Sequence, residues 1–384
     1  MRLVALRAYL FFCFGTVGLY IPYFPTWLSA RGFRGLALSA FVCLPPFASL
    51  VAPLVVGMLS DRLGVRGKLI TWSASLATLG ALALTVVATA FSPLPLTLAL
   101  SGFALFALFR APMISLGDVM TIEHAQNYGK TRLWGSLGFI ANAWLGGRFL
   151  DLNHPFALPL ALLVGLAVSS LISLRLPKAA ALPSRPALDD ARHFLSDARF
   201  HAFLLMASFA YAALSAYDFT STFRLRELGA PGHLIGTFWS TAAAAEIVLL
   251  YFGTRIAAFF SPEKLLPWIL GLASLRWLGM AESKSPWLLV LLQPLHAIVF
   301  GLFLLCTIDI LKRRARGRGL GTALGLFSVA TSVGAILGLA LWGALHTSYG
   351  SQFVFRVASG LSLGALVASL LVSPSSPKQP ALSA

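Results

Sequence analysis

Arg132 enters a hydrophobic helix from a polar loop, in the stretch Tyr128-Gly129-Lys130-Thr131-Arg132-Leu133-Trp134-Gly135-Ser136-Leu137-Gly138-Phe139. Asp118 closes the hydrophobic run before it. One helical hairpin thus brings a carboxylate and a guanidinium together. Inside a membrane such charges are costly and mark a substrate or ion path. Glu246 stands in Thr241-Ala242-Ala243-Ala244-Ala245-Glu246-Ile247-Val248 with nothing polar beside it. A carboxyl there must hold a proton or meet a cation, and Arg276 is a candidate cation. His296 follows Gln293 by one turn within another apolar run, and imidazole is the side chain suited to proton exchange near neutral pH. Arg110 and Asp218 also interrupt apolar runs, Asp218 with Tyr211 and Ser215 on its helical face. These residues can bind anions and protons. The motifs of bond-cutting enzymes are not found: there is no Ser-His-Asp spacing, no His-x-x-x-His and no glycine-rich phosphate loop. Cys13, Cys43 and Cys306 have neither metal spacing nor a disulfide framework, so no metal and no cofactor is expected.

The elements that must carry these groups are membrane helices. Hydrophobic residues make up 58% of the 384 and charged residues 11%, with a mean hydropathy of +0.83. Soluble domains carry about 25% charged residues. The apolar runs are continuous rather than alternating, which selects helices over a barrel. They predict twelve spans, over about 5–28, 37–59, 68–91, 95–120, 132–150, 155–175, 201–223, 234–255, 265–281, 287–310, 320–345 and 353–373. The first run extends past Leu28 with no small-residue cleavage site where one is needed, so it reads as a retained span rather than a signal peptide.

The net charge of +16 follows from topology, not from nucleic-acid binding. With the N-terminus inside, most of the 29 Lys and Arg residues fall on inner loops, which sets both termini in the cytoplasm. The longest polar interruption, about Pro177 to Arg199, divides the chain into two halves. The expected organisation is a six-helix bundle over 1–176, a cytoplasmic linker over 177–200 and a second six-helix bundle over 201–384. Pro22, Pro25, Pro45, Pro46, Pro53, Pro112 and Pro294 fall inside spans, as suits helices that move.

Between spans two and three stands Gly57-Met58-Leu59-Ser60-Asp61-Arg62-Leu63-Gly64-Val65-Arg66-Gly67-Lys68. It resembles the signature loop of major facilitator transporters, Gly-x-x-x-Asp-Arg-x-Gly-x-Arg/Lys. Gly57 lets two helices approach, Asp61 pairs with basic groups or a helix N-terminus, and Gly64 permits the tight turn. Gly57, Asp61, Arg62, Gly64 and Arg66 are the expected conformational latch. The corresponding place in the second half, Gly253-Thr254-Arg255 to Lys264, lacks the aspartate.

Gly18-Leu19-Tyr20-Ile21-Pro22-Tyr23-Phe24-Pro25-Thr26-Trp27-Leu28 resembles the first helix of lactose permease and its relatives. Tyr128 to Phe139, Gly236-Thr237-Phe238-Trp239-Ser240, Leu275-Arg276-Trp277 and Leu295-His296 resemble the 3-phenylpropionate transporter branch of that family. In lactose permease-like symporters a helix-four carboxylate, a helix-five arginine and an aromatic form the first-half substrate site. The resemblance implies Asp118, Arg132 and Phe139 in those roles. Phe139 stands where the family stacks a sugar on tryptophan, which argues against a sugar. Proton coupling in the family uses charged groups on helices eight to ten, here Glu246, Arg276 and His296. A further family glutamate is replaced by Val299, leaving more of the coupling to Glu246.

The expected protein is an all-α major facilitator transporter of the bacterial inner membrane, a monomer that imports a small organic solute with protons. The excess of cavity cations (Arg110, Arg132, Arg276) beside aromatic groups (Tyr20, Phe139, Trp239) points to an aromatic or other organic monocarboxylate such as a phenylpropionate. A nucleoside or sugar symporter, a drug exporter, and a membrane-embedded enzyme or scaffold are the alternatives.

Overall fold

The structure is a computed structural model that describes residues 2–63, 65–125, 128–151, 154, 156–176, 188–259, 261–315 and 320–372. The long helices are α1 (Arg2–Ala30), α2 (Gly35–Leu63), α3 (Arg66–Ala90), α4 (Leu96–His124), α5 (Tyr128–Asp151) and α6 (Ala157–Ser173). After a short α7 (Leu188–Leu195) come α8 (Ala198–Glu227), α9 (Gly232–Phe259) and α10 (Pro262–Glu282). The next span is broken into α11 (Pro286–Leu291), α12 (Pro294–His296), a π-helical turn (Ala297–Leu302) and α13 (Phe303–Ala315). Pro294 has no N–H to continue the ladder, and the wider turn follows it. The last helix is α14 (Leu320–Leu370).

The expected division between the last two spans lies inside α14. Gly350 has φ 76° and ψ 178°, a conformation that favours glycine, and it bends the helix into two arms. The second arm is capped from α8: the Glu227 carboxylate accepts the Ser351 N–H at 3.3 Å and its hydroxyl at 2.7 Å. Among the described residues there are twelve long helical segments, as the apolar runs predict. The stretch read as linker contains α7, whose Phe194 packs on Phe200 with ring centroids 5.1 Å apart. Asp197 then caps α8 by accepting the Arg199 N–H, and pairs with Arg314 at 3.0 Å.

Within the first half α1 packs on α5 and α6, and α4 on α2 and α3. Within the second, α14 packs on α8 and α10. Of the expected latch, Arg66 opens α3. Its buried guanidinium bonds Glu123 at the end of α4 and so ties those two helices together. Gly57, Asp61 and Arg62 fall within α2, but their side chains, and Gly64 altogether, lie outside the described residues.

The halves meet along α2–α14, α5–α9 and α1–α8. Side-chain hydrogen bonds between them gather towards the end at which α1 stops. There the Gly35 N–H donates to Thr347 Oγ1 (3.0 Å), Ser39 Oγ to the Ala340 carbonyl (3.2 Å), Ser240 Oγ to the Ile140 carbonyl (3.2 Å) and Thr222 Oγ1 to the Pro22 carbonyl. Asp151, ending α5, accepts the Gly232 N–H at the start of α9 (2.9 Å) and pairs with Arg226 (2.8 Å). Small residues permit this closeness, since a Cβ on Gly147 would stand 2.0 Å from the Gly232 carbonyl oxygen. This far end is closed.

Candidate functional site

A cavity of about 270 Å³ lies between the halves, behind that closure. The first half contributes α1 (Tyr20, Phe24), α2 (Pro45, Ser49) and α4 (Phe103, Arg110). The second contributes α8 (Tyr211, Ser215, Asp218, Phe219) and α14 (Thr331, Ser332). Proline and aromatic rings make its walls rigid and apolar, the usual character of small-molecule sites with few fixed polar groups.

Two charged side chains line it, one from each half: Arg110 and Asp218. Arg110 is 4% exposed, lies over the Tyr20 ring at 4.8 Å, and has Nε and Nη1 buried without a hydrogen-bond partner. A cation–π contact contributes about 2 kcal/mol when desolvated. The effective penalty for burying a cation is several kcal/mol. The contact with Tyr20 therefore leaves Arg110 undercompensated, and an anion in the cavity would complete it.

Asp118 and Arg132 do meet, at 3.1 Å, with side chains 29% and 27% exposed. Arg132 also covers the Phe14 ring, 3.6 Å from its centroid. Neither residue lines the cavity described above. Arg132 instead acts across the interface on Glu246, whose side chain lies against Gly301 of the π-helical turn. Arg132, not Arg276, is thus the cation that acts on Glu246.

Arg276 belongs to a separate buried cluster on the second half. It is 1% exposed, sandwiched by Tyr217 (4.8 Å) and Trp277 (4.5 Å), and donates from Nη2 to Gln293 Oε1 at 3.1 Å. The same oxygen accepts the Tyr217 hydroxyl at 3.1 Å, and Gln293 Nε2 donates to the Leu289 carbonyl. His296 stacks on Tyr217 with centroids 4.7 Å apart, its Nδ1 buried and unpartnered. Arg276 and His296 thus share Tyr217, on which Glu246 also acts without bonding either of them. Replacing Gln293 with leucine would orphan both donors at once. Each buried unsatisfied group costs about 1–3 kcal/mol. The variant is expected to unfold several degrees lower in detergent, as read by intrinsic fluorescence.

Trp239 is turned away from the cavity. It is buried, its indole N–H bonds Thr222 Oγ1 at 3.1 Å, and its ring packs on Tyr217 at 4.7 Å. Phe139 is part-buried in the α1–α5 packing, with its carbonyl against Gly18, and does not line this cavity. Tyr20 and Arg110 do. Sequence reasoning noticed Asp218 and Gln293 but assigned them no role. Tyr211 and Ser215 on the Asp218 face are the signal that could have found the first, because both share its cavity wall. Nothing local marks Gln293 as a hub.

The match to known proteins follows the same architecture. A model of the MFS_1 like family matches residues 3–357. The chain belongs to that family. Maltose permease of Geobacillus stearothermophilus is 25% identical over 336 residues, covering 85% of this chain and 82% of the relative. A probable 3-phenylpropionic acid transporter of Escherichia coli K12 is 25% identical over 382 residues, covering 94% and 96%. A crystal structure of the nucleoside transporter NupG shares the fold with a TM-score of 0.80 at 18% identity, covering 97% of this chain and 99% of that one. This MFS_1-like protein is a multi-pass membrane protein of two six-helix bundles, a secondary transporter rather than an enzyme.

Proposed function

We propose that this transporter imports a small aromatic monocarboxylate, such as a phenylpropionate, together with protons. The observation that carries the reading is Arg110: a buried guanidinium with two unpartnered nitrogens, walled by aromatic rings. A carboxylate is the anion its planar fork suits. The cavity of about 270 Å³ is lined by aromatic and proline side chains that suit an aromatic ring. Tyr20 orients the guanidinium. The Asp118–Arg132 pair and Phe139 remain proposed contacts for other stages of the cycle.

The two bodies, 1–176 and 201–384, rock about this site, with 177–200 as the link between them. Both termini are cytoplasmic in this reading, so the closed far end is the outer one and the protein is inward-facing. It acts as a monomer. Glu246 carries the driving proton, set against Arg132 rather than Arg276. Arg276 and His296 support it through Tyr217. The signature stretch with Gly57, Asp61, Arg62, Gly64 and Arg66 serves as the inner latch.

The test is proton movement in proteoliposomes. Adding phenylpropionate should drive proton entry in the wild type and not in Glu246→Gln. A flux that appears with nucleosides or sugars but not with the acid would remove the substrate class. A flux undiminished in Glu246→Gln would remove Glu246 as carrier.

A further inference from the structure

The cavity holds one formal positive and one formal negative charge, on opposite halves, and they do not touch. Among the described residues neither Arg110 nor Asp218 has a hydrogen-bond or ion-pair partner. Asp218 projects from α8 into the wall that Tyr211 and Ser215 share. Both charges act on Tyr20, which lies between the two halves. Empty, the compartment is neutral. An ionised carboxylate entering to meet Arg110 leaves it with one excess negative charge among apolar rings. An uncompensated buried charge carries a penalty of several kcal/mol. One proton on Asp218 removes the excess.

We infer that Asp218 holds a second proton, besides the one assigned to Glu246, that is tied to the substrate: carboxylate binding at Arg110 and protonation of the Asp218 carboxylate occur together. This rests on the carboxylate reading above and goes beyond it. Glu246 lies outside the cavity lining, whereas Asp218 is part of it. The proton comes from the solution on the side from which the substrate enters, sits on an Asp218 carboxylate oxygen, and leaves with the substrate. No other bond changes. Competition works in the same direction, because an ionised Asp218 and the substrate carboxylate both seek the one guanidinium.

The groups that face Asp218 from each packed element are few. They are Arg110 from α4 and Tyr20 from α1 in the shared cavity, and Tyr211 and Tyr217 on α8 itself, with Arg276 and His296 behind Tyr217; Glu246 of α9 acts on the two tyrosines. In the cavity α2 and α14 contribute hydroxyls. His346 of α14 lies further out, against Phe219 and Phe223.

The experiment is titration calorimetry of the purified transporter with phenylpropionate, from pH 6 to 8 and in buffers of different ionisation enthalpy. Carboxylic acids stay ionised over that range, so the ligand itself does not titrate. Wild type is expected to take up close to one proton per ligand at the alkaline end. Its Kd should weaken there towards tenfold per pH unit, the limit for one linked proton. Asp218→Asn should bind with no proton uptake and vary less than about twofold across the range. Asp218→Ser, checked for monodispersity, guards against a folding defect of the asparagine variant. Binding by wild type with no proton uptake overturns the inference whatever the variants do, as does an unchanged slope in Asp218→Asn. No binding of any carboxylate by wild type overturns the proposed substrate class, and this inference with it.

Discussion

Replacing Arg110 with leucine is expected to abolish uptake of the acid and at the same time raise the unfolding temperature. The two effects have one cause. Arg110 is almost fully buried and two of its nitrogens have no partner. Replacing a buried ionic group with an apolar residue of similar size often stabilises by about 1–4 kcal/mol. For a chain of this length that is a rise of a few degrees. Transport goes the other way. Losing the partner of a buried, hydrogen-bonded charge costs about 2–5 kcal/mol. At 1.4 kcal/mol per decade that is at least tenfold in affinity and up to a thousandfold or more. Arg110→Lys keeps the charge and loses the fork, so intermediate uptake is expected. Uptake assays beside thermal unfolding in detergent decide the matter. A folded Arg110→Leu protein that still takes up the acid at the wild-type rate removes Arg110 from the site, and a lowered unfolding temperature contradicts the undercompensated-charge account.

The second large effect is steric. Gly147→Val should leave the far end unable to close. The new Cβ would stand 2.0 Å from the Gly232 carbonyl oxygen, backbone against backbone, with no flexible side chain to give way. Uptake should fall to background. In a background with Cys13, Cys43 and Cys306 replaced, a cysteine at the cavity position Ser49 should react with an impermeant maleimide added outside at least about tenfold faster, since an equilibrium shift of 1.4 kcal/mol already changes populations tenfold. Asp151→Asn is the instructive contrast. It weakens the Arg226 pair, whose side chains are 36% and 43% exposed, while an oxygen remains for the Gly232 N–H. Exposed pairs contribute about 0–1 kcal/mol, so labelling should change only a few-fold. Equal effects from the two substitutions would mean that charge, not backbone contact, holds the far end shut.

These two residues differ in how far they could be read from the chain. Arg110 was visible as a charge inside an apolar run, and the fold sets it over the Tyr20 ring. Gly147 was not visible at all, because its meaning depends on which backbone passes it. The same division runs through the site. Asp118 and Arg132 pair because one hairpin joins them, a local fact. Glu246 opposite Arg132, and Arg276 bound to Gln293 instead of Glu246, are not local. Each depends on how α5, α9, α10 and the broken tenth span are rotated about their own axes. Helices apolar on all sides carry no amphipathic face to report that rotation. Trp239 illustrates the error this invites: an aromatic group near a charge in sequence, turned into a core by its bond to Thr222.

Composition and continuous apolar runs were enough to decide twelve membrane helices in two halves, because lipid leaves the backbone no other way to satisfy its hydrogen bonds. The signature stretch and the charged interruptions were enough to decide a transporter of the major facilitator kind. Which charges share a cavity was decided by packing alone. Asp218 and Arg110 are over a hundred positions apart, on different halves, and only the contact of α1 with α8 and of α2 with α14 sets them in the wall of the same small space.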